Sequence, residues 1–342
     1  MRKILVTGGL GFIGSHTVVE LLNSNYEVII IDNLSNTSID VIEGIEKITN
    51  KKPEFIKLDL KEKNQVLDFF KKHKFELSGV IHFAAYKAVG ESIEDPLKYY
   101  ENNLYSLINI LTSIKYLDLK INFIFSSSCT VYGQSKSLPI TESEPTVSAE
   151  SPYGNTKQVC EEIIKDFTRT YANLNVVSLR YFNPIGAHPS SFIGELPLGK
   201  PQNLIPFITQ TAIGLYPELI VFGEDYNTKD GTCVRDYIDV VDLAKAHIAS
   251  LEYLQNEDCE TNYEIYNVGT GIGHSVLEVI KCFEQVNDIK INFSIGAKRS
   301  GDVEIAYADT LKANNRLKWK SKISLKDSLR NAWKWEKHIR IN

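Results

Sequence analysis

A tyrosine and a lysine four residues apart, in Ser151-Pro152-Tyr153-Gly154-Asn155-Thr156-Lys157, are well placed to move a proton. Pro152 suits the first position of a helix and Ser151 its N-cap, so Tyr153 and Lys157 fall on one helix face. A tyrosine with its ordinary pKa near 10 is a poor base at neutral pH, but an adjacent ammonium favours the phenolate and makes Tyr153 a candidate general base. The spacing alone is common, since Tyr116/Lys120 and Tyr132/Lys136 share it. The first of these falls at a helix end and the second in a Gly/Ser-rich turn, so neither offers a fixed face. Upstream, Ser126-Ser127-Ser128-Cys129-Thr130-Val131-Tyr132-Gly133 gathers hydroxyls at the end of a β-branched run. The carboxyl ends of parallel strands are where open sheets bind ligands.

A second group of residues suits a phosphate ligand. Lys3–Thr7 leads into Gly8-Gly9-Leu10-Gly11-Phe12-Ile13-Gly14, which satisfies G-x-G-x-x-G through Gly9, Gly11 and Gly14 just ahead of a helical segment. Small residues let the backbone approach a pyrophosphate, and the helix N-terminus adds free N–H donors and the positive end of its dipole. Asp32 closes the next β-run, where a carboxylate accepts from the adenosine ribose hydroxyls and repels a 2′-phosphate. The pattern predicts NAD rather than NADP, with Asn33 assisting. Bound NAD would place a cationic nicotinamide ring beside Tyr153, a further stabiliser of its phenolate. Asp59 ends the third run, where it either accepts from the adenine amino group or caps the helix from Lys61. Phe83-Ala84-Ala85 offers small residues where a cofactor must lie close to the backbone. Lys87 either meets the pyrophosphate or is a solvated surface lysine.

Holding these groups in place requires strands and helices in alternation. β-Branched runs at Lys3–Thr7, Glu27–Ile31, Glu54–Leu58, Gly79–Phe83, Ile121–Ser126, Val176–Arg180 and Glu264–Val268 read as strands. Ser15–Asn23, Lys61–Lys72, Pro96–Tyr116 and Pro152–Tyr171 carry apolar residues at helical spacing. Near-continuous apolar strands alternating with helices predict an α/β, Rossmann-type doubly wound parallel sheet. After Arg180 the regularity breaks at Tyr181-Phe182-Asn183-Pro184, where a smaller mixed α/β substrate-binding lobe should begin. Helices are expected there at Leu204–Ile213, Asp239–Leu254, Ser275–Gln285, Asp309–Leu317 and Leu325–His338, with strands at Leu219–Phe222 and near Ile289–Phe293. The expected division is a cofactor domain at 1–180 with a returning segment at about 235–270, interleaved with a second lobe at 181–342.

Composition narrows the class. A length of 342 residues exceeds the roughly 250–300 at which one core stops growing, which suits a large domain with a smaller lobe. Hydrophobic residues at 43% and charged residues at 24% are ordinary for a globular protein. A net charge of -5 offers no general attraction for nucleic acid or anionic membranes, so an anion site has to be built locally. Cys129, Cys160, Cys233, Cys259 and Cys282 are scattered, with no zinc-ligand spacing, and read as reduced, mostly buried thiols; no metal is expected. The N-terminus lacks the apolar core of a signal peptide and no run approaches the ~20 apolar residues of a membrane span, so a cytoplasmic protein is expected.

Together these residues resemble the extended short-chain dehydrogenase/reductase family, in the branch that acts on nucleotide hexoses. The likeness extends through Lys87-Ala88-Val89-Gly90-Glu91-Ser92, Arg180-Tyr181-Phe182-Asn183-Pro184, Gly186-Ala187-His188-Pro189 and Val234-Arg235-Asp236-Tyr237-Ile238. It implies that Tyr153 removes the proton of the sugar 4-hydroxyl while hydride passes from C4 to tightly held NAD. The resulting 4-keto sugar rotates and takes the hydride back on its other face, interconverting UDP-glucose and UDP-galactose. Ser128 then hydrogen-bonds the reacting oxygen, and Lys157 lowers the tyrosine pKa and holds the nicotinamide ribose. The resemblance also implies cofactor contacts at Gly8, Gly11, Phe12, Ile13, Gly14, Asp32, Asn33, Asp59, Leu60, Phe83, Ala84, Ala85, Lys87, Asn102 and Phe182. It places the UDP-sugar at Asn183, Asn203, Leu204, Phe222, Arg235, Arg299, Asp302 and position 306, and implies a homodimer through Pro96–Tyr116 and Pro152–Tyr171. Each arginine would supply charge-assisted contacts to a diphosphate; Phe222 either packs near uracil or fills core. Where stricter members place a bulky tyrosine against the sugar, this chain has Ala306, which leaves room for N-acetylhexosamine nucleotides; an offset of one residue would put Tyr307 there instead. Dehydratases of the family place Asp-Glu after the strand-five hydroxyls, whereas Cys129-Thr130 stands here. A net dehydrogenase and a non-catalytic NAD-binding regulator are rival functions for the same residues. Retention of Ser128, Tyr153 and Lys157 speaks against the regulator.

Overall fold

The computed structural model describes residues 3–135, 137–256, 262–299 and 302–341; Arg2, Lys136, Cys259, Ser300 and Gly301 lie outside the described residues. In chain order the first part runs β1 (Lys3–Thr7), α1 (Phe12–Asn23), β2 (Glu27–Asp32), α2 (Val41–Thr49), β3 (Glu54–Lys57), α3 (Lys63–His73), β4 (Leu77–His82), α4 (Val89–Glu94), α5 (Pro96–Tyr116), β5 (Ile121–Ser128), α6 (Pro152–Thr170) and β6 (Leu174–Tyr181). It continues with β7 (Asn183–Ile185), α7 (Leu204–Ala212), β8 (Leu219–Phe222), β9 (Val234–Asp239), α8 (Val240–Gln255), β10 (Tyr263–Val268), β11 (Gly273–Ser275), α9 (Val276–Asn287), β12 (Phe293–Gly296), β13 (Ile305–Ala306), α10 (Leu311–Arg316) and α11 (Leu325–Ile341).

Alternation along the strands builds a core on each face of a single sheet. In β1, Ile4 and Val6 join the cluster that holds α1 and α8, while Leu5 joins the cluster that holds α3, α5 and α6. Strand β2 divides the same way, with Ile30 on one side and Ile29 and Ile31 on the other. Each such buried aliphatic side chain contributes roughly 1.5–3 kcal/mol. The sheet has seven parallel strands in the order β10-β6-β5-β4-β1-β2-β3, which is a doubly wound Rossmann-type arrangement. Thr7 pairs with both Ile31 and His82, and Ser128 with Tyr181, so the carboxyl ends of the central strands line one edge.

The smaller lobe contains a sheet of β11-β9-β13 with β7 beside β9, and a separate parallel pair β8·β12. Its core is centred on Ile208, Tyr237, Val279, Phe283 and Trp333. The chain rejoins the large layer at Val240 rather than Arg235, because Val234–Asp239 belongs to the small sheet; α8 then packs on α1, and β10 forms the edge beside β6.

Several elements differ from the sequence expectation. Strands β5 and β6 run on to Ser128 and Tyr181, two residues and one residue further respectively than the apolar runs, because their last rungs pair with each other. The strand expected near Ile289–Phe293 lies at Phe293–Gly296, fixed by its parallel register with Leu219–Phe222. Helix α2, unforeseen, buries Ile42 and Ile45, and its Gly44 is obligatory, since a Cβ there would stand 2.3 Å from the Phe192 carbonyl oxygen.

Candidate active site

The glycine loop between β1 and α1 is held by close approach. Gly8 has φ +66°, and a Cβ on it would lie 2.8 Å from the Ala84 nitrogen; a Cβ on Gly14 would lie 2.2 Å from the Gly8 carbonyl oxygen. Any side chain at either position would push the helix away from the sheet. Gly11 is the N-cap of α1 and provides no side-chain hydrogen bond, and no acid stands in the first turn. The amides of Phe12, Ile13 and Gly14 therefore have no partner within the helix and can serve an anion.

Asp32, at the end of β2, is buried, and its two oxygens accept from the Leu10 amide at 3.2 Å and the Leu34 amide at 3.0 Å. Burial raises its carboxyl pKa, and the backbone N–H groups oppose that shift. Asn33 donates to Asp59 Oδ2 at 3.3 Å, and Asp59 Oδ1 accepts from the Lys61 amide at 2.9 Å. Asp59 thus closes a turn ahead of α3 rather than capping that helix, which begins at Lys63, and Leu60 beside it is buried. The Phe83 amide donates to the Thr7 carbonyl at 3.0 Å, which sets Phe83, Ala84 and Ala85 against the loop. Asn102 on α5 donates to Asn103 Oδ1 at 3.1 Å. The glycine cradle, the uncapped helix and the carboxylate of Asp32 fit a dinucleotide with a free ribose 2′-hydroxyl.

Facing this loop, Ser151 caps α6 by accepting from the Gly154 amide at 3.2 Å, with Pro152 in the first turn. Lys157 is buried; its Nζ donates to the Ser126 carbonyl at 2.6 Å and stands 6.0 Å from the centroid of the Tyr153 ring. Ser128 Oγ accepts from the Thr130 amide at 3.2 Å. The Tyr153 pKa is pushed up to about 12 by desolvation, against which the facing Ser128 hydroxyl works. In the chain alone the lysine therefore does not produce the phenolate expected from the sequence, because its ammonium is turned to Ser126. A bound nicotinamide ring, cationic in its oxidised form, would supply positive charge there.

Desolvation also lowers the Lys157 pKa to about 8, with Cys160 and Glu161 working in the opposite sense. Between pH 8 and 10.5 the unfolded chain binds more protons at this lysine than the native one, so burying it costs stability at neutral pH and the cost is relieved as pH rises through that window. NAD-free Lys157→Met is accordingly expected to melt higher than the unsubstituted protein at pH 7, with a gain that shrinks from pH 8 upward. A melting difference independent of pH would show that desolvation of the ammonium is not the cause.

The smaller lobe supplies the cations. Arg235 NH1 donates to the Val234 carbonyl at 2.9 Å, and NH2 lies 3.8 Å from Asp302 Oδ1. The Arg299 guanidinium stacks 3.8 Å above the ring of Phe222, which is half-buried and serves as its platform rather than as core. Asn183 on β7 pairs with Tyr237 of β9. Asn203 is the N-cap of α7, immediately before Leu204, but its amide donates to Glu195 Oε1 at 2.6 Å instead of serving the helix. Lys87 is half-exposed and pairs with the same Glu195 oxygen at 3.2 Å. Ala306, opposite Arg235 in the strand register, is buried with Phe182, Val131 and Tyr132, and Cys129 packs against that cluster. Tyr307 turns the other way, so that a Cβ on Gly273 would lie 3.2 Å from its ring; the residue on the Phe182 side is alanine.

Of the other Tyr/Lys pairs, Tyr116 is exposed at the end of α5, while Tyr132 is buried and donates to Asn267 Oδ1 at 2.6 Å. Cys160 and Cys233 are buried and Cys129 and Cys282 partly so, all free thiols. Among the described residues no cluster of His, Cys, Asp and Glu could hold a metal ion. Two features lay outside the sequence reading: the Glu161–Arg180 ion pair beneath the serines, and Glu195. Only the position of Glu161, one turn beyond Lys157, hinted at the first.

Fold and site together define an extended short-chain dehydrogenase/reductase. A family model described as GDP-mannose 4,6 dehydratase matches residues 5–332. A UDP-glucose 4-epimerase of Drosophila melanogaster is 46% identical over 339 residues, covering 97% of this chain and 96% of the relative. Among solved structures, UDP-glucose-4-epimerase from Stenotrophomonas maltophila, with bound NAD and formylated UDP-arabinopyranose, superimposes with TM-score 0.94 at 42% identity and 99% coverage of both chains. The Bifidobacterium longum UDP-glucose 4-epimerase, in complex with NAD+ and UDP, gives TM-score 0.94 at 43% identity, covering 100% of this chain and 99% of the other. The chain belongs to the UDP-glucose 4-epimerase family.

Proposed function

We propose that the protein interconverts UDP-glucose and UDP-galactose with NAD as a resident cofactor and no net redox change. The observation that carries this reading is the convergence of Ser128, Tyr153 and Lys157 at the same carboxyl edge of the sheet that bears the glycine loop. Tyr153 takes the proton of the sugar 4-hydroxyl and later returns it, Ser128 hydrogen-bonds the reacting oxygen, and Lys157 anchors to Ser126 beside them. Bound NAD supplies the hydride acceptor and donor. Gly8, Gly11, Phe12, Ile13, Gly14, Asp32 and Asn33 hold it along the large sheet, with Phe83, Asn102 and Phe182 flanking. Asn183, Asn203, Arg235 and Arg299 hold the UDP-sugar from the smaller lobe. Incubation with UDP-galactose and no added cofactor should yield UDP-glucose without net NADH. Accumulating NADH would instead indicate a dehydrogenase, and no turnover even with NAD supplied would overturn the reading.

Ala306 supports a wider substrate range. Ala306 packs with Phe182, Val131 and Tyr132, and its methyl group takes up less of that region than a tyrosine ring would. UDP-N-acetylglucosamine is expected to be epimerised, and Ala306→Tyr to reduce that turnover at least tenfold more than turnover of UDP-glucose. Equal losses on both substrates would remove the specificity role. A homodimer is part of the same reading: α5 leaves Leu97, Tyr105, Ile108 and Tyr116 exposed, and the mass of the protein in solution tests the point. So is a cytoplasmic location, with which the lack of any described helix long and apolar enough to cross a membrane is compatible.

A further inference from the structure

The proposed cofactor site lies on the large sheet and the proposed substrate site on the smaller lobe, and residues from the two sides of the cleft between them meet on one oxygen. Glu195 Oε1 pairs with Lys87 Nζ at 3.2 Å and accepts from Asn203 Nδ2 at 2.6 Å. Lys87 follows β4 of the large sheet, on the cofactor side. Asn203 precedes α7 of the smaller lobe, on the substrate side. Only 12% of the Glu195 side chain is exposed, against 52% for Lys87, so the carboxylate is the fixed member and the lysine the mobile one. Its backbone is pinned from behind. The Trp335 indole donates to the Glu195 carbonyl at 2.9 Å, and a Cβ on the preceding Gly194 would lie 2.5 Å from the same ring. Asn203 stands at an N-cap, where its side chain would ordinarily accept from the helix amides, yet it forgoes that bond and turns its amide to Glu195.

We propose that Glu195 is a positioning residue that ties the cofactor side of the cleft to the substrate side, by holding Lys87 and Asn203 through one shared carboxylate oxygen. This rests on the proposed roles of Lys87 and Asn203. Lys87 is an ammonium shared between Glu195 and a pyrophosphate, and the amide of Asn203 is aimed by the same carboxylate. Withdrawing one partner changes the charge and orientation the other experiences. A contact of this kind couples two sites reciprocally.

The test is a coupling measurement on the NAD-loaded protein with UDP-glucose as substrate, recording KM and kcat separately. Lys87→Met, on the far side of the cleft from the sugar, is expected to raise KM for UDP-glucose by roughly threefold to tenfold, in the lower part of the range for directly coupled neighbours. In the Glu195→Ala background the same Lys87→Met change is expected to leave KM where Glu195→Ala alone put it. Glu195→Gln, which keeps an acceptor for Asn203 but discards the charge that holds Lys87, should also abolish the coupling and provides a second variant if Glu195→Ala folds poorly. An equal effect of Lys87→Met on KM in all backgrounds, or none in any, overturns the proposal. Failure of the epimerase reading would show separately, as no turnover by the unsubstituted protein.

Discussion

Tyr153→Phe is expected to lower kcat for UDP-galactose by about 10²- to 10⁴-fold, the range of a lost general acid–base group. NAD content and affinity for UDP should stay close to those of the unsubstituted protein. The substitution removes one oxygen from a ring whose helix is capped by Ser151 and whose neighbour Lys157 is anchored to Ser126, so the frame of the site persists. In NAD-free protein the hydroxyl titrates at about 12, so almost none of it is phenolate at neutral pH. The residual base strength has to be conferred as the site fills, and activity should rise with pH until that lowered pKa is passed. Stopped assays of UDP-glucose formation, with NAD quantified on the same samples, check both points. A loss of activity that tracks a loss of NAD would assign Tyr153 to cofactor retention instead.

Glu161→Leu is expected to cost about 3–5 kcal/mol of stability, the penalty of leaving a buried partner charge uncompensated. Glu161 and Arg180 are paired at 2.9 and 2.6 Å with side-chain exposures of 7% and 5%. Burial works to lower the Arg180 pKa, and the pairing with Glu161 raises it above its ordinary value. Ser127 also donates to Glu161 at 2.5 Å, and the guanidinium lies 4.7 Å from the Tyr132 ring centroid. The pair thus bolts the end of β6 to the helix that carries Tyr153 and Lys157, and the Ser127 hydrogen bond adds the end of β5, which carries Ser128. Because well-packed apolar replacements of a buried ion pair are often neutral, Glu161→Leu combined with Arg180→Met should recover most of the loss. Urea midpoints of the three proteins check this. A double variant no more stable than Glu161→Leu alone would show that packing, not the stranded charge, sets the cost.

The large sheet was legible because both of its faces are buried. Runs such as Glu27-Val28-Ile29-Ile30-Ile31 have no polar alternation to obscure them. In the smaller lobe α7, β8, α9, α10 and α11 were legible too, but β7, β11 and β13 were not, because they span two or three residues and carry no period. They are defined by their pairing with β9 and not by their own composition. In the site, the residues with local grammar were found from the sequence: the glycine loop before a helix, the acid that ends β2, and the tyrosine and lysine one turn apart. Glu195 lies in a stretch without periodic structure, and its partners Lys87 and Asn203 are 108 and 8 residues away. Contacts of that kind are made by tertiary folding, and no spacing rule announces them. The raised Tyr153 pKa of the NAD-free chain comes from the depth of burial, which the sequence does not state.

The path of the chain through its two layers bears on how the protein is made. Strand β6 is flanked by β5 on one side and by β10 on the other, and β10 is supplied only after the chain has visited the smaller lobe through β7, α7, β8 and β9. During synthesis the backbone groups of Leu174–Tyr181 therefore wait, unpaired along one edge, until Tyr263–Val268 has left the ribosome. Such an edge is a template for pairing with a neighbouring nascent chain, and closing a long excursion before any reward is slow. A polypeptide ending at residue 180 would keep β6 as its edge strand and would lack both β10 and α8, the helix that packs on α1.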